Sequence, residues 1–233
     1  PGAAPPASAA AAPGSLGGSA RLSGAAAVGL GAAAGAGRWR AFASLSRPQE
    51  LHRHRKRLEG FAKDAPKGDS KTLAACQDLL RDDDWFARKT AVDAIGKVAV
   101  KGDEVQLALL YKQLEDVDIF VREAAVDAVA EIAVHADNTA ISKLAMRLAD
   151  EDCFVRTRAV VALGRLAEKG DAETIGLLGE MFEDGFVPVR KRTVEALARL
   201  AAPGDDTVRE RLRRCLNDPD RGVRDEAQSA LDK

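Results

Sequence analysis

Between residues 70 and 233, apolar positions recur with the spacing of amphipathic α-helices. Stretches such as REAAVDAVAEI (122–132) have one continuous apolar face and predict helices of roughly four turns. Each stretch is followed by KGD, HAD or PGD, where glycine suits the end of one helix and aspartate the start of the next. The pattern therefore predicts helical hairpins, each with a shorter and a longer helix. Aspartates also stand at the N-cap positions of four longer helices: Asp84, Asp118, Asp152 and Asp220.

The hairpin pattern returns every 34 residues, in five units at about 70–103, 104–137, 138–171, 172–205 and 206–233. In each unit an aspartate precedes an arginine by six residues, at the start of the longer helix. These residues are Asp82 and Arg88, Asp116 and Arg122, Asp150 and Arg156, Asp184 and Arg190, and Asp218 and Arg224. A single hairpin cannot bury its own apolar faces, whereas stacked hairpins share one core. The prediction is an all-α, right-handed α-solenoid of about five helix-turn-helix repeats.

The consensus D-x-D-x-x-V-R-x-x-A-V-x-A-L, seen as DVDIFVREAAVDAV (116–129), resembles HEAT repeats. Its short period is similar to that of the phycobilisome-lyase-like HEAT subfamily. The resemblance covers about residues 70–233. It implies that the aspartates and arginines form a ladder of hydrogen bonds within and between repeats. This agrees with physical expectation, because a charged side chain at a repeat interface needs a partner of opposite charge. Repeat four departs from the consensus, with Phe186 at the N-cap position and Pro188 in the first turn.

Composition and charge indicate which residues form the core, which class of partner is disfavoured and which redox compartment suits the protein. Aromatic residues make up 4% of the chain, so the core must come largely from Ala, Leu and Val. Residues 70–233 contain 25 Lys and Arg against 32 Asp and Glu, and this acidic balance disfavours a nucleic-acid partner. Cys76, Cys153 and Cys215 lie far apart, which argues against a disulfide framework or a zinc finger and favours a reducing, intracellular compartment.

The N-terminal part differs from the repeats. Residues 1–47 are rich in Ala, Gly, Pro and Ser and contain four Arg but no acid, which predicts disorder. This composition is typical of a chloroplast or mitochondrial transit peptide, and the alternative is a low-complexity extension of a cytoplasmic protein. In residues 48–69, Leu51, Leu58 and Phe61 share a helical face opposite the basic run HRHRKR. This segment is expected to be an amphipathic basic capping helix with a linker, or alternatively a patch for an anionic partner. No stretch of the sequence predicts a membrane span.

Two enzyme classes accompany the resemblance. A di-iron site like that of deoxyhypusine hydroxylase needs repeated His-Glu pairs, and the three histidines (His52, His54 and His135) form none. A bilin lyase-like or chaperone-like protein is the stronger alternative, because a thiolate at Cys153, beside Phe154 at a helix start, would suit it. The other interpretation of Cys153 is a small apolar filler. We therefore predict no catalytic residue, no cofactor and no metal site.

An aromatic residue recurs two positions before the arginine in three successive repeats, as Phe86, Phe120 and Phe154. These rings are candidates for an edge that anchors a partner peptide or helix. The alternative is that they pack between neighbouring hairpins.

Basic residues recur at a spacing of seven on the longer helices of repeats three and four, as Arg158, Arg165, Arg192 and Arg199. The corresponding helices of repeats one and two carry Asp93, Asp127 and Glu131, which predicts a groove that is basic at one end and acidic at the other. The alternative is a solvated face with the ion pairs Asp93–Lys97 and Glu195–Arg199. The leading prediction is a non-enzymatic scaffold for a protein partner, acting as a monomer or as a subunit of a hetero-complex.

Overall fold

The computed structural model of the chain describes residues 65–232. The predictions for the tail (1–47) and for residues 48–64 of the capping helix lie outside this range. The described residues form ten α-helices and no strand. Short 3₁₀ turns, Met146–Ala149 and Met181–Glu183, follow the fifth and seventh helices. The helices are α1 (Ser70–Leu79), α2 (Trp85–Val98), α3 (Glu104–Gln113), α4 (Ile119–Ile132), α5 (Asn138–Ala145), α6 (Cys153–Leu166), α7 (Ala172–Glu180), α8 (Val187–Leu200), α9 (Asp206–Cys215) and α10 (Arg221–Leu231).

The ten helices form five stacked hairpins, which confirms the predicted α-solenoid. The longer helices, here called the inner helices (α2, α4, α6, α8 and α10), pack directly against one another along the array. The shorter, outer helices (α1, α3, α5, α7 and α9) contact mainly the inner helices and are splayed apart from each other. Because the inner row is the more closely spaced, the array curves with the inner helices on its concave side.

Small residues allow the inner helices to approach closely. A Cβ added at Gly164 of α6 would lie 2.7 Å from the Cβ of Ala196 in α8. At Gly96 of α2 it would lie 3.0 Å from the Cβ of Ala128 in α4. The alanine-rich composition of the longer helices therefore serves close packing between repeats.

Aspartates cap the helices as the sequence predicts. The side chains of Asp84, Asp118, Asp152 and Asp220 accept backbone N–H bonds at the starts of the inner helices α2, α4, α6 and α10. The outer helices are capped in the same way by Asp69, Asp103, Asp137, Asp171 and Asp205. Inner helix α8 follows Phe186, which provides no side-chain cap, and carries a proline in its first turn. Because repeat four departs from the consensus here, its inner helix begins without the side-chain cap that an aspartate gives the other inner helices.

The turn after each inner helix connects two repeats. Gly102 (φ 78°) and Gly170 (φ 80°) adopt the left-handed conformation expected after a helix, and Ala136 (φ 62°) adopts it without being glycine. In these three turns the amide donates to the last carbonyl of the next inner helix, with distances of 2.7 Å (Gly102 to Ile132), 2.8 Å (Ala136 to Leu166) and 2.8 Å (Gly170 to Leu200). Consecutive repeats are thus joined by backbone hydrogen bonds as well as by their apolar core.

Candidate functional site

The ladder arginines lie between consecutive repeats, at the start of the inner helices. In four repeats, Nε and Nη2 of the arginine donate to the two carboxylate oxygens of the aspartate in the following repeat. The Nε distances are 2.7 Å (Arg88–Asp116), 3.0 Å (Arg122–Asp150), 2.6 Å (Arg156–Asp184) and 2.8 Å (Arg190–Asp218). The Nη2 distances are 2.8, 3.0, 3.1 and 3.0 Å in the same order. Each pair is therefore a bidentate charge-assisted interaction.

In every repeat, the carbonyl of the aspartate six residues before the arginine accepts a bond from that arginine. In repeats two to five, the carboxylate of this aspartate binds the arginine of the preceding repeat. Nη1 of Arg122 donates to the carbonyl of Asp116 at 2.9 Å. The carboxylate of Asp116 binds Arg88 and accepts the N–H of Asp118 at 2.8 Å. One aspartate thus connects two arginines and the cap of an inner helix.

The ladder has a free position at each end of the described solenoid. Asp82 accepts the N–H of Asp84 at 2.9 Å, and no arginine among residues 65–232 reaches its carboxylate. At the other end, Nη1 of Arg224 donates to the carbonyls of Asp218 (2.7 Å) and Pro219 (3.0 Å). In the described part of the chain, no carboxylate stands opposite Arg224.

The recurring phenylalanines are half-buried, and two of them, Phe120 and Phe154, contact an aromatic side chain of an adjacent repeat. Phe120 stacks on Trp85 of repeat one, with 5.0 Å between ring centroids, and Trp85 also meets Phe86 edge-on at 5.7 Å. Phe154 meets Phe186 of repeat four at 5.4 Å. These contacts support the alternative in which the rings pack between hairpins, and they leave part of each ring at the surface.

On the inner face, the arginines of repeat three bind the acids of repeat two. Nε of Arg158 donates to the buried carboxylate of Glu123 at 3.0 Å, and Nη1 contacts Asp127. Arg165 lies 3.6 Å from Glu131. The predicted basic and acidic ends of the groove therefore meet at the junction of α4 and α6 and neutralise each other.

Repeat four leaves more positive charge at the surface. Arg192 pairs with Glu195 of its own helix at 2.6 Å, and Arg199 is exposed and forms no ion pair with any residue between 65 and 232. The alternative pairs Asp93–Lys97 and Glu195–Arg199 are wrong, because Lys89 binds Asp93 at 2.6 Å and Arg192 takes Glu195. The basic part of the inner face is therefore α8.

A second concave feature lies on the outer side and was not predicted. The groove between α7 and α9 has a volume of about 1420 Å³ and is lined by Gly176, Gly179 and Phe182 together with charged side chains of both walls. The guanidinium of Arg211 crosses Gly179, where any Cβ would collide with it, and donates to the carbonyl of Ile175 at 3.4 Å. The two glycines in GLLGE were the sequence signal for this groove.

The cysteines are buried thiols. Burial raises the pKa of Cys153, and the negative charge of Asp152 adds to this shift. Burial likewise raises the pKa of Cys76 and of Cys215 to about 11. The raised pKa and the 2% exposure of Cys153 favour its interpretation as a small apolar filler over a thiolate. Within residues 65–232, no group of three His, Cys, Asp or Glu side chains is placed to hold a metal ion.

The sequence matches the family model for HEAT repeats over residues 65–130 and 141–232. The chain belongs to the HEAT-repeat family. The resemblance predicted from the consensus is thereby confirmed, and the ladder, caps and turns above are features of a HEAT solenoid. Among curated proteins, no sequence matches this chain.

Solved structures with the same fold include both designed and natural proteins. A designed armadillo repeat protein in complex with the peptide (KR)4 is 22% identical, with a TM-score of 0.55, over 81% of this chain and 95% of that one. The complex of CpcE and CpcF of phycocyanin lyase from Nostoc sp. PCC7120 is 21% identical, with a TM-score of 0.55, over 70% of this chain and 99% of that one. At these identities the likeness establishes the HEAT-like fold alone. None of the helices between residues 65 and 232 has the length and apolar character needed to cross a membrane.

Proposed function

We propose that this HEAT protein is a non-catalytic scaffold, or an accessory subunit of a larger assembly, that binds a protein partner on its inner face. The observation that carries the proposal is the uncompensated charge on α8. Arg199 forms no ion pair in the described chain, and Arg192 pairs with Glu195 of its own helix. A partner segment that presents carboxylates along α8 would form ion pairs there, whereas the arginines of α6 already have acids.

The shape of the inner row supports an extended partner. Five inner helices lie side by side, so the groove offers equivalent positions at regular intervals to a peptide or a helix. A designed armadillo protein of similar fold is known in complex with a peptide, which supports the same mode of use here. The charges differ, because that peptide is basic whereas α8 calls for an acidic segment.

The half-buried rings of Phe86, Phe120 and Phe154 flank this groove at the start of three inner helices. We assign them a supporting role, in which their exposed edges contact the partner while their other faces hold neighbouring repeats together. Because Phe120 and Phe154 also pack within the fold, their removal would lower both stability and binding. The arginines of α8 are therefore the cleaner test.

The proposal is tested by charge reversal on the two sides of the solenoid. The double variant Arg192→Glu/Arg199→Glu changes the inner face. Arg209→Glu/Arg213→Glu makes the same charge change on outer helix α9, where both side chains are exposed and neither lines the outer groove. Affinity purification from the native source with the wild-type protein and the outer variant should recover a common partner that the inner variant loses. Equal recovery by both variants, or no partner with any protein, would refute the proposal.

A tetrapyrrole-binding role, lyase-like or chaperone-like, is the second candidate. The observation that favours it is the aromatic cluster of Trp85, Phe86 and Phe120, because a tetrapyrrole packs well against aromatic rings. The likeness to the phycocyanin lyase complex points the same way. The neutral, buried thiol of Cys153 argues against a covalent bilin adduct there. Incubation of the purified protein with a bilin should leave a visible absorption band bound to it, and absence of the band would exclude this role.

We also propose that residues 1–47 direct the protein to a chloroplast or a mitochondrion. The support is the absence of acidic residues together with four arginines. A fusion of residues 1–47 to a fluorescent protein should enter the organelle and be shortened there. A diffuse, uncleaved fusion would favour the cytoplasmic alternative.

A further inference from the structure

The outer groove between α7 and α9 is wide because two residues break the 34-residue period. Gly176 and Gly179 stand where α5 has Ser142 and Ala145. The corresponding groove between α5 and α7, which Ser142 and Ala145 line, has a volume of about 600 Å³, compared with about 1420 Å³ here. A Cβ added at Gly176 would meet no atom within 4 Å. The space beside α7 is therefore open to an occupant from outside the chain.

Part of the lining of this groove is apolar. Leu177, Phe182 and Val187 are half-buried side chains that pack against the core and also line the groove. All three belong to repeat four. Apolar side chains within a concave surface favour an occupant that brings an apolar side chain of its own, because the contact removes both from water.

The α7 side of the groove carries uncompensated negative charge. Glu173, Glu180 and Glu183 are exposed and line the groove, and none of them forms an ion pair with a residue between 65 and 232. Glu173 and Glu180 lie seven residues apart, which corresponds to about 10 Å along a helix. These carboxylates form an acidic rim that attracts the cationic side chains of a partner.

The α9 side of the groove carries positive charge instead. Arg211 reaches across to α7, where its Nη1 donates to the carbonyl of Gly176 over a long 3.5 Å, and it forms no ion pair within the described residues. Arg214 is exposed, and its carboxylate partner Glu210 lies 3.8 Å away. Because the two sides differ in sign, cations of an occupant are attracted to the α7 side and repelled by the α9 side.

From these observations we propose that the outer groove binds a short basic segment of a partner protein. The segment places an apolar side chain against Leu177 and Phe182, and Lys or Arg residues about 10 Å apart pair with Glu173 and Glu180. An acidic segment would be repelled by the rim of three carboxylates. This surface is distinct from the inner face, where α8 calls for an acidic segment, so the solenoid can hold two segments of opposite charge.

Peptide selection tests which chemistry the groove takes. The probe is a library of random peptides displayed on phage and selected on the full chain. The control protein is Gly176→Phe, which fills the open space beside α7 and, within a helix, is expected to preserve the fold, as circular dichroism will check. Peptides that bind the wild-type protein but not this variant are ligands of the groove. We expect them to be rich in Lys and Arg; acidic or uncharged groove ligands, or no groove ligand at all, would overturn the proposal.

Charge neutralisation then locates the contact for a selected peptide, with affinity measured by fluorescence polarisation. Glu180→Gln/Glu183→Gln should weaken binding about three- to tenfold. The matched control Glu104→Gln/Glu115→Gln removes the same charge from exposed positions of repeat two, where Glu115 is the equivalent of Glu183, and should leave the affinity unchanged. If the first variant weakens binding no more than the control, the peptide responds only to net charge and the proposal fails.

A gain of affinity provides the complementary test. Arg214→Glu makes both sides of the groove acidic and should tighten binding of the same peptide. Arg192→Glu/Arg199→Glu, on the inner face, should leave that affinity unchanged, so the result does not depend on the function proposed for α8. Weaker binding by Arg214→Glu would show that the α9 side attracts the peptide, which contradicts a basic occupant.

Discussion

Replacement of Arg122 by alanine is the most informative test of the ladder. The side chain is 7% exposed, and its main partner, the carboxylate of Asp150, is 3% exposed. Arg122 donates two bonds of 3.0 Å to that carboxylate and one of 2.9 Å to the carbonyl of Asp116. Burial by itself lowers the pKa of this guanidinium, but the hydrogen bond and charge of Asp150 outweigh it and the pKa is raised. The variant therefore leaves a buried carboxylate without its main counter-ion.

The expected loss follows from what remains around Asp150. Breaking a buried ion pair by removing one partner costs about 3–5 kcal/mol when the remaining charge is left uncompensated. Asp150 keeps the N–H bond of Asp152 at 3.0 Å and an ion pair with Arg147 at 3.5 Å. We therefore expect Arg122→Ala to lower the free energy of unfolding by about 2–3 kcal/mol. For a domain of this size, this corresponds to a fall in Tm of roughly 5–10 °C.

Urea unfolding followed by far-UV circular dichroism measures this loss. The matched control is Arg224→Ala, since Arg224 donates to backbone carbonyls and has no carboxylate opposite it in the described chain. The control should lose about 1 kcal/mol or less. If Arg122→Ala loses no more than Arg224→Ala, the bidentate pairs contribute nothing to stability and the structural role of the ladder is refuted.

Two further predictions concern the repeat interfaces. Gly164→Ala should lower the free energy of unfolding by about 1–3 kcal/mol, because the added methyl would lie 2.7 Å from the Cβ of Ala196. The control Gly176→Ala, where nothing lies within 4 Å of the added methyl, should be neutral or stabilising in the same urea assay. Equal effects of the two variants would contradict the close approach of α6 and α8. Burial tends to raise the pKa of Asp218, but the hydrogen bonds from Arg190 and from the backbone outweigh burial and lower this pKa below 3.8. The charged carboxylate therefore contributes to stability above pH 3.8, and this contribution is lost as the pH falls through the lowered pKa. Asp218→Asn should therefore destabilise the protein at neutral pH and differ less from wild type in acid titrations below about pH 4; a constant difference at all pH values would show that the charge of Asp218 is not involved.

Much of the fold was predictable because one period governs it. The caps, the turns and the core each occupy a fixed position in a 34-residue unit, so five imperfect copies reinforce one another. The pairing within the ladder was not predictable from spacing. Asp116 lies 6 residues from Arg122 and 28 from Arg88, and both spacings recur equally along the chain. The structure assigns the carboxylate to Arg88 and the carbonyl to Arg122.

The surface was harder to predict, because its contacts depend on distances between repeats. Within a single helix, Glu195 and Arg199 have the spacing of an ion pair, yet Glu195 binds Arg192. Arg158 reaches Glu123 and Asp127 across the α4–α6 interface, a contact that no local pattern contains. The outer groove was missed for a similar reason, since the effect of Gly179 depends on Arg211 in the next repeat.

In a periodic solenoid, the residues that recur in every repeat hold the stacked repeats together, because each copy contacts its neighbours in the same way. They cannot distinguish one partner from another. Recognition must therefore depend on residues that break the period, and these cluster toward repeats four and five. Arg192 and Arg199 lack the cross-repeat acids that bind the arginines of α6, and Gly176 and Gly179 open the groove beside α7. If the α8 variants leave partner binding intact, this outer groove is the next surface to test, and a partner bound there would be sensitive to charge reversal at Arg214 instead.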